Sequence, residues 1–254
     1  MVSSNKGKAV RSARAAVVTQ RSTPWGLIAG VLVVVVFAGA VFGYAYFQGQ
    51  ARDDRVSALA PFTPTAENND PSKTIPGVVV VDTFKSGQHV RPDQQVAYTY
   101  SPPFGGAHDF AWATCTGVVY PTPVRSENLV HSLEHGAVWI TYNPDQVSGD
   151  ALALLRSKVE GKPYMVISPY PGLDSPISLQ AWGHQLKLAD AADPRVDQFI
   201  IALQRNPYTV PEPQGTCNEL GPGSFVQVAP PAFAPAPAPG TTGALDELTG
   251  TVAP

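Results

Sequence analysis

The chain has 254 residues, with 17 Lys and Arg against 20 Asp and Glu and a formal net charge of −3. Lys6, Lys8, Arg11, Arg14 and Arg21 all fall in the first 24 positions, so residues 25–254 carry 12 basic against 20 acidic groups. That balance opposes polyphosphate binding, and no nucleic-acid partner is expected.

In chain order, residues 1–24 form a basic tail without an acidic side chain. The stretch "WGLIAGVLVVVVFAGAVFGYAYF", Trp25 to Phe47, is uncharged and has the roughly 20 residues that a bilayer-spanning helix needs. Trp25, Tyr44 and Tyr46 mark its ends, as aromatic residues do at membrane interfaces. A secretory signal would have a shorter apolar region and a small-x-small cleavage site, and "YAYFQGQA" is a poor one. A retained single-pass anchor in a lipid bilayer is expected. The basic residues before it place the N-terminus in the cytoplasm and the rest outside.

Residues 48–74 are polar and proline-containing and read as a linker, with one helical turn near Arg55–Leu59. Residues 75–228 hold one domain of ordinary size. "VVVVDTF", "QQVAYTYS", "TGVVYPTP", "PYMVISPY" and "SLQAWGHQLKLA" read as strands. "GAVWITY" is apolar on both faces and should be central. Leu152, Leu155 and Val159 give one helix its stripe, with Gly161 as its stop. Val196, Phe199, Ile200 and Leu203 give the second, capped by Asp193 with Pro194 in its first turn. The fold class is α+β, a mostly antiparallel sheet with about two helices. Residues 229–254 are Pro/Ala-rich and read as a disordered tail.

Two cysteines, Cys115 and Cys217, lie on the expected exterior side, where disulfides persist. A bridge between them is the simpler reading. The alternative is a free Cys115 thiolate serving as a soft metal ligand.

"VHSLEHGAVWITYNP" contains His131, Glu134 and His135 as H-x-x-E-H, the signature of one class of zinc peptidase. In such enzymes the two histidines share a face of an active-site helix, a downstream Glu completes the site and the motif Glu is the general base. Here Gly136 and a strand follow at once, and "PTPVRSEN" upstream promises at most one turn, capped by Ser126 or Asn128. Glu160, Glu212 and Glu219 have no recognisable context as a third ligand. A non-hydrolytic site is the second reading. His131 and His135 chelate, His108 joins from "SPPFGGAHDFAW", Glu134 is a fourth ligand or an orienting partner, and Asp109 orients an imidazole. Imidazoles suit copper and zinc. The third reading is a hydrogen-bonded polar corner with no ion. His89 reads as an exposed turn residue and His184 as a satisfied core histidine. "PPFGG", with Pro103 and Gly106, reads as a tight turn or a weak anion cradle.

"YSPPFGGAHDFAWATCTGVVY" followed by "VHSLEHGAVWITYNP" resembles the membrane-anchored actinobacterial proteins catalogued as domain of unknown function 3105. The residues that carry the resemblance are Pro102, Pro103, Gly106, His108, His131, Glu134, His135 and Gly136, with Ala107 where proline is expected. The resemblance implies an N-terminal anchor and one exterior domain, joins His108 to the His131–His135 pair, and names no activity. The expectation is a single-pass membrane protein whose exterior domain binds copper or zinc through His108, His131, His135 and Glu134. The rivals are an assembly domain for another envelope protein with a structural histidine cluster, and a zinc hydrolase.

Overall fold

The structure, a computed structural model, describes residues 23–252. The basic tail lies outside them except for its last two positions. The chain falls into two units, one ending at Asp54 and one beginning at Arg55.

Helix α1 is Trp25–Leu59, with no buried residue. Its apolar part has a mean hydropathy of 2.6, so it is long and apolar enough to cross a membrane. It does not stop at Phe47. "QGQARDDRVSAL" holds good helix formers, and no proline interrupts before Pro61. Residues 60–74 are not a free linker either. They form two 3-10 turns, Ala60–Phe62 and Pro71–Thr74, and Pro71 and Ser72 are buried. Asp70 Oδ2 lies 3.1 Å from His184 Nε2, and Asn206 Nδ2 donates to the Asn69 carbonyl at 2.8 Å.

The folded unit has these elements in order: β1 (Val79–Val80), β2 (His89–Val90), β3 (Val96–Ala97), β4 (His108–Asp109), β5 (Thr116–Val119), α2 (Ser126–Glu134), β6 (Val138–Tyr142), α3 (Gly149–Val159), β7 (Met165–Pro169), β8 (Ile177–Ala181), β9 (His184–Leu188), α4 (Arg195–Leu203) and β10 (Leu245–Asp246). The main sheet runs β1-β9-β8-β6-β7-β5. The first three of these pairings are antiparallel and the last two parallel. The fold is α+β, with one domain helix more than expected.

β6 is central and buried on both faces, as its composition predicts. Val138 and Ile140 point into a core shared with Leu155 and Val159 of α3 and Phe199 and Leu203 of α4. Trp139 points to the other face, where Leu129, Val130 and Leu133 of α2 pack. The sheet therefore separates α3 and α4 from the layer that carries the histidines. α4 begins one residue later than expected. Asp193 Oδ1 accepts from the Arg195 N–H at 2.9 Å and ties down its start.

"SLQAWGHQLKL" is a hairpin rather than one alternating strand. Ala181 pairs with His184 across Trp182-Gly183, and Gly183 takes φ +71, a value that suits glycine in a two-residue turn. His184 is buried, with Nδ1 at 2.6 Å from the Trp182 carbonyl and Nε2 on Asp70. It is the satisfied core histidine expected.

The Pro/Ala-rich segment does not lie free of the domain. The Arg125 N–H donates to the Pro231 carbonyl at 3.0 Å, Phe233 packs on Tyr170, and β10 pairs in parallel with β3. An extended chain has unpaired main-chain groups to offer, and Phe233 and Leu245 give it apolar surface to bury. Just after β10, the Glu247 carbonyl accepts from the Ala107 N–H at 2.7 Å. The proline expected at position 107 has no N–H for this bond. Its absence therefore matters to the tail as well as to loop stiffness.

Glu247 Oε2 accepts from the Thr99 N–H at 3.1 Å, but buried Oε1 has no partner. Burial raises its pKa above the usual carboxylate range, against the hydrogen bonds from Thr99. A carboxyl raised in the fold costs stability as pH climbs from the unfolded value through the folded one. Glu247→Gln is expected to stabilise the protein by about 1 kcal/mol at pH 7. The gain should vanish at a pH below both values, checked by urea midpoints at the two pH values.

Candidate metal centre

The H-x-x-E-H motif does lie on a helix. α2 is nine residues long, with Arg125 at its N-cap and no side-chain cap, so neither Ser126 nor Asn128 serves. Its end is a Schellman motif. Gly136 takes φ +95, its N–H donates to the Leu133 carbonyl at 2.9 Å, and the Ala137 N–H donates to the Ser132 carbonyl at 3.0 Å. The glycine that suggests an interrupted motif completes the helix end, one residue past the C-cap His135. His131 and His135 therefore share a face at i, i+4.

His108 is the first residue of β4, delivered by the loop before it. Two N–H groups that follow the PPFGG stretch are committed. The Ala107 N–H bonds the tail, and the His108 N–H donates to the Gln88 carbonyl at 2.9 Å. Gly106 takes φ +86, and a Cβ there would lie 2.6 Å from the Glu247 carbonyl oxygen. Pro103 is buried in the same loop. β4 pairs in parallel with β2, setting His89 opposite His108. His89 is thus no isolated turn residue. Its ring lies 5.0 Å from that of His108 and stacks on that of His131 at 5.1 Å.

Three rings share one design. His108 Nδ1 lies 2.8 Å from the Gly106 carbonyl, His131 Nδ1 2.7 Å from the Asp109 carbonyl and His135 Nδ1 2.8 Å from the Thr216 carbonyl. A carbonyl oxygen only accepts, so each Nδ1 carries a proton, and in its neutral form each ring has its lone pair on Nε2. Asp109 orients His131 through its main chain, not its carboxylate. His131 Nε2 and His135 Nε2 lie 3.1 Å apart. His108 Nε2 lies 2.9 Å from Glu134 Oε2 without hydrogen-bond alignment, and both atoms are buried without a partner. Acceptors this close need a cation or a proton between them. Edges of about 3 Å are what ligand atoms about 2.0–2.1 Å from a common ion make.

Charge states agree with this. Burial, and then the neighbouring His108, push the His131 pKa down to about 3, so that ring is neutral. Burial and His108 lower His89 as well. Burial alone would raise Glu134, but positive charge at His108 Nε2 and the Gly87 N–H, which donates to Oε1 at 2.8 Å, hold it below the usual range as a carboxylate.

Among the described residues, the ligand atoms form two groups, each within 4.8 Å. One is His89, His108, His131 and Glu134; the other is His131, His135 and Glu212. The four residues expected from sequence do not fall in one group. His135 belongs to the second and His89 takes its place in the first. Glu212, whose Oε2 is 3.4 Å from His135 Nε2, supplies the context missing from the sequence. Helix, histidine pair and downstream glutamate thus meet the peptidase pattern. Glu134 does not, because it is fully buried, with one oxygen on the Gly87 N–H and the other facing His108. Its carboxylate has no contact with solvent.

Cys115 and Cys217 form a disulfide, so Cys115 is no thiolate ligand. The bridge fixes the strip that carries Glu212 and Thr216. Gly215 in that strip presses on His135, where a Cβ would lie 2.3 Å from the ring. Asp109 is held by a buried ion pair with Arg125, whose Nη2 donates to the Gln94 carbonyl at 2.7 Å. Arg125→Ala strands the Asp109 charge and is expected to cost about 3 kcal/mol, read from the denaturant midpoint.

No match was found among curated proteins or among solved structures. A family match covers residues 89–219, just over half of the chain, and that span contains both ligand groups and both cysteines. By that match the chain belongs to the family described as Protein of unknown function (DUF3105).

Proposed function

We propose that the folded unit binds one divalent transition-metal ion, copper or zinc, through His89, His108, His131 and Glu134, and holds it on the outer face of a membrane. The supporting observation is the buried pair His108 Nε2 and Glu134 Oε2, which approach to 2.9 Å with no hydrogen-bond partner. Nδ1–H bonds to main-chain carbonyls aim His108 and His131 at that point. The donors are imidazole and carboxylate, without thiolate or thioether, which suits Cu(II) and Zn(II) rather than Cu(I). Glu134 faces away from solvent, which favours metal handling over hydrolysis.

The membrane placement rests on α1, and the orientation on the basic residues before it. The disulfide fits an oxidising exterior. The test is metal analysis of the full chain, purified in detergent without a His-tag and titrated with Zn²⁺ and Cu²⁺. One bound ion per chain is expected, lost in Glu134→Gln and His108→Ala variants that remain folded. Refusal of both ions would leave the rival reading, an assembly domain for another envelope protein with the histidines as a hydrogen-bonded corner.

A further inference from the structure

The two ligand groups share His131. Its Nδ1 proton is committed to the Asp109 carbonyl at 2.7 Å, so His131 has a single lone pair, on Nε2. One lone pair serves one ion. The groups are therefore not two independent sites that fill together.

They also differ in kind. The first has four protein donors, and His108 and Glu134 within it are 0 % exposed. The second has three donors, which leaves a coordination position open. Its Glu212 is 44 % exposed. His135 borders a surface cavity of about 350 Å³ lined also by Arg205, Val210 and Gln214. Trp112, 4.8 Å from His135 and 5.5 Å from His131, walls both groups on one side.

We infer that a single ion uses the two seats in turn. A hydrated divalent cation is captured at His131, His135 and Glu212, then moves inward as His131 exchanges His135 and Glu212 for His89, His108 and Glu134. No bond other than metal–ligand bonds forms or breaks, and the ion keeps its charge. Release runs the same path in reverse, so Glu212 governs how fast the ion exchanges rather than how tightly it is held. The inference rests on the metal-binding reading above and adds a route to it. His89 is exposed, so a direct route past His89 is the competing path.

The test compares full-length wild type with Glu212→Gln in detergent, using Zn²⁺ as the probe. Equilibrium titration gives the stoichiometry and affinity. Stopped-flow transfer to a chromogenic chelator gives the release rate, and the reverse mixing gives loading. Glu212→Gln is expected to bind one Zn²⁺ with an affinity within about threefold of wild type, while both rates fall about tenfold or more, on the order of what losing one outer-shell partner costs a metal site. Unchanged rates would overturn the relay and point to the His89 route. Two ions per chain would overturn it by showing independent sites. An affinity loss equal to that of Glu134→Gln would overturn it by showing one site that spans both groups. If wild type binds no Zn²⁺ or Cu²⁺, the metal-binding reading fails and takes the relay with it. One ion with unchanged rates removes only the relay.

Discussion

His131→Ala is expected to abolish ion binding altogether, weakening it by more than about 100-fold, the upper end of what losing a ligand's orienting partner costs. His108→Ala and Glu134→Gln remove donors from the inner group alone, whereas His131→Ala removes a donor from both ligand groups. His135→Ala leaves the inner four donors in place and should still bind one ion. The two variants differ in one ring four residues apart on the same helix, so the contrast separates ligation from general damage to α2. An ion that binds only the folded state adds about 2.7 kcal/mol of stability at 100 times its dissociation constant. Added Zn²⁺ should therefore raise the melting temperature of wild type and of His135→Ala, and leave that of His131→Ala unmoved. A metal-dependent rise in all three would show that His131 is no ligand.

Removing the disulfide is the second large effect. Cys115 and Cys217 are 102 residues apart in sequence, and closing a loop of that length stabilises by up to about 4–5 kcal/mol through the unfolded chain. Cys115→Ala with Cys217→Ala avoids stray thiols and should lower the denaturant midpoint by that order. A loss below about 1 kcal/mol would contradict the loop-closure account. The variant should also show a local effect. The Thr216 carbonyl that orients His135, and the Cys217 carbonyl that accepts the Cys115 N–H at 3.0 Å, lie in the strip the bridge tethers. Zinc loading should slow while the stoichiometry stays at one.

Several parts of this architecture were legible from residues alone. β6 and α4 were visible because their apolar patterns are strong and local. His108, His131, Glu134 and His135 were visible as chemistry-bearing residues. Their grouping was not, because it depends on pairings that no local pattern carries. His89 joins through a parallel bridge between β2 and β4 only two residues long. Glu212 joins through a loop held across the disulfide.

Gly136 reads as an interruption of the motif for a physical reason. A glycine after a short polar segment reads as a break, whereas here its positive φ completes a helix end. Pro121 and Pro123 made the approach to α2 look like loop, although both precede Arg125 and leave the helix itself free of proline. In "SLQAWGHQLKL" the two-residue turn at Trp182-Gly183 mimics one strand's alternation, since a hairpin returns with the same period. The composition of the Pro/Ala-rich segment cannot show that the domain offers β3 as a partner for β10.

The capped end of α2 has an electrical consequence. Aligned peptide dipoles give a helix C-terminus the equivalent of roughly half a negative charge. His131 lies in the last turn of α2, and His135 is its C-cap. Neutral imidazoles bring no countercharge to a divalent ion, and the inner seat has a single carboxylate. The backbone of α2 would supply part of what is missing, so the helix that spaces the two rings also favours a cation placed between them.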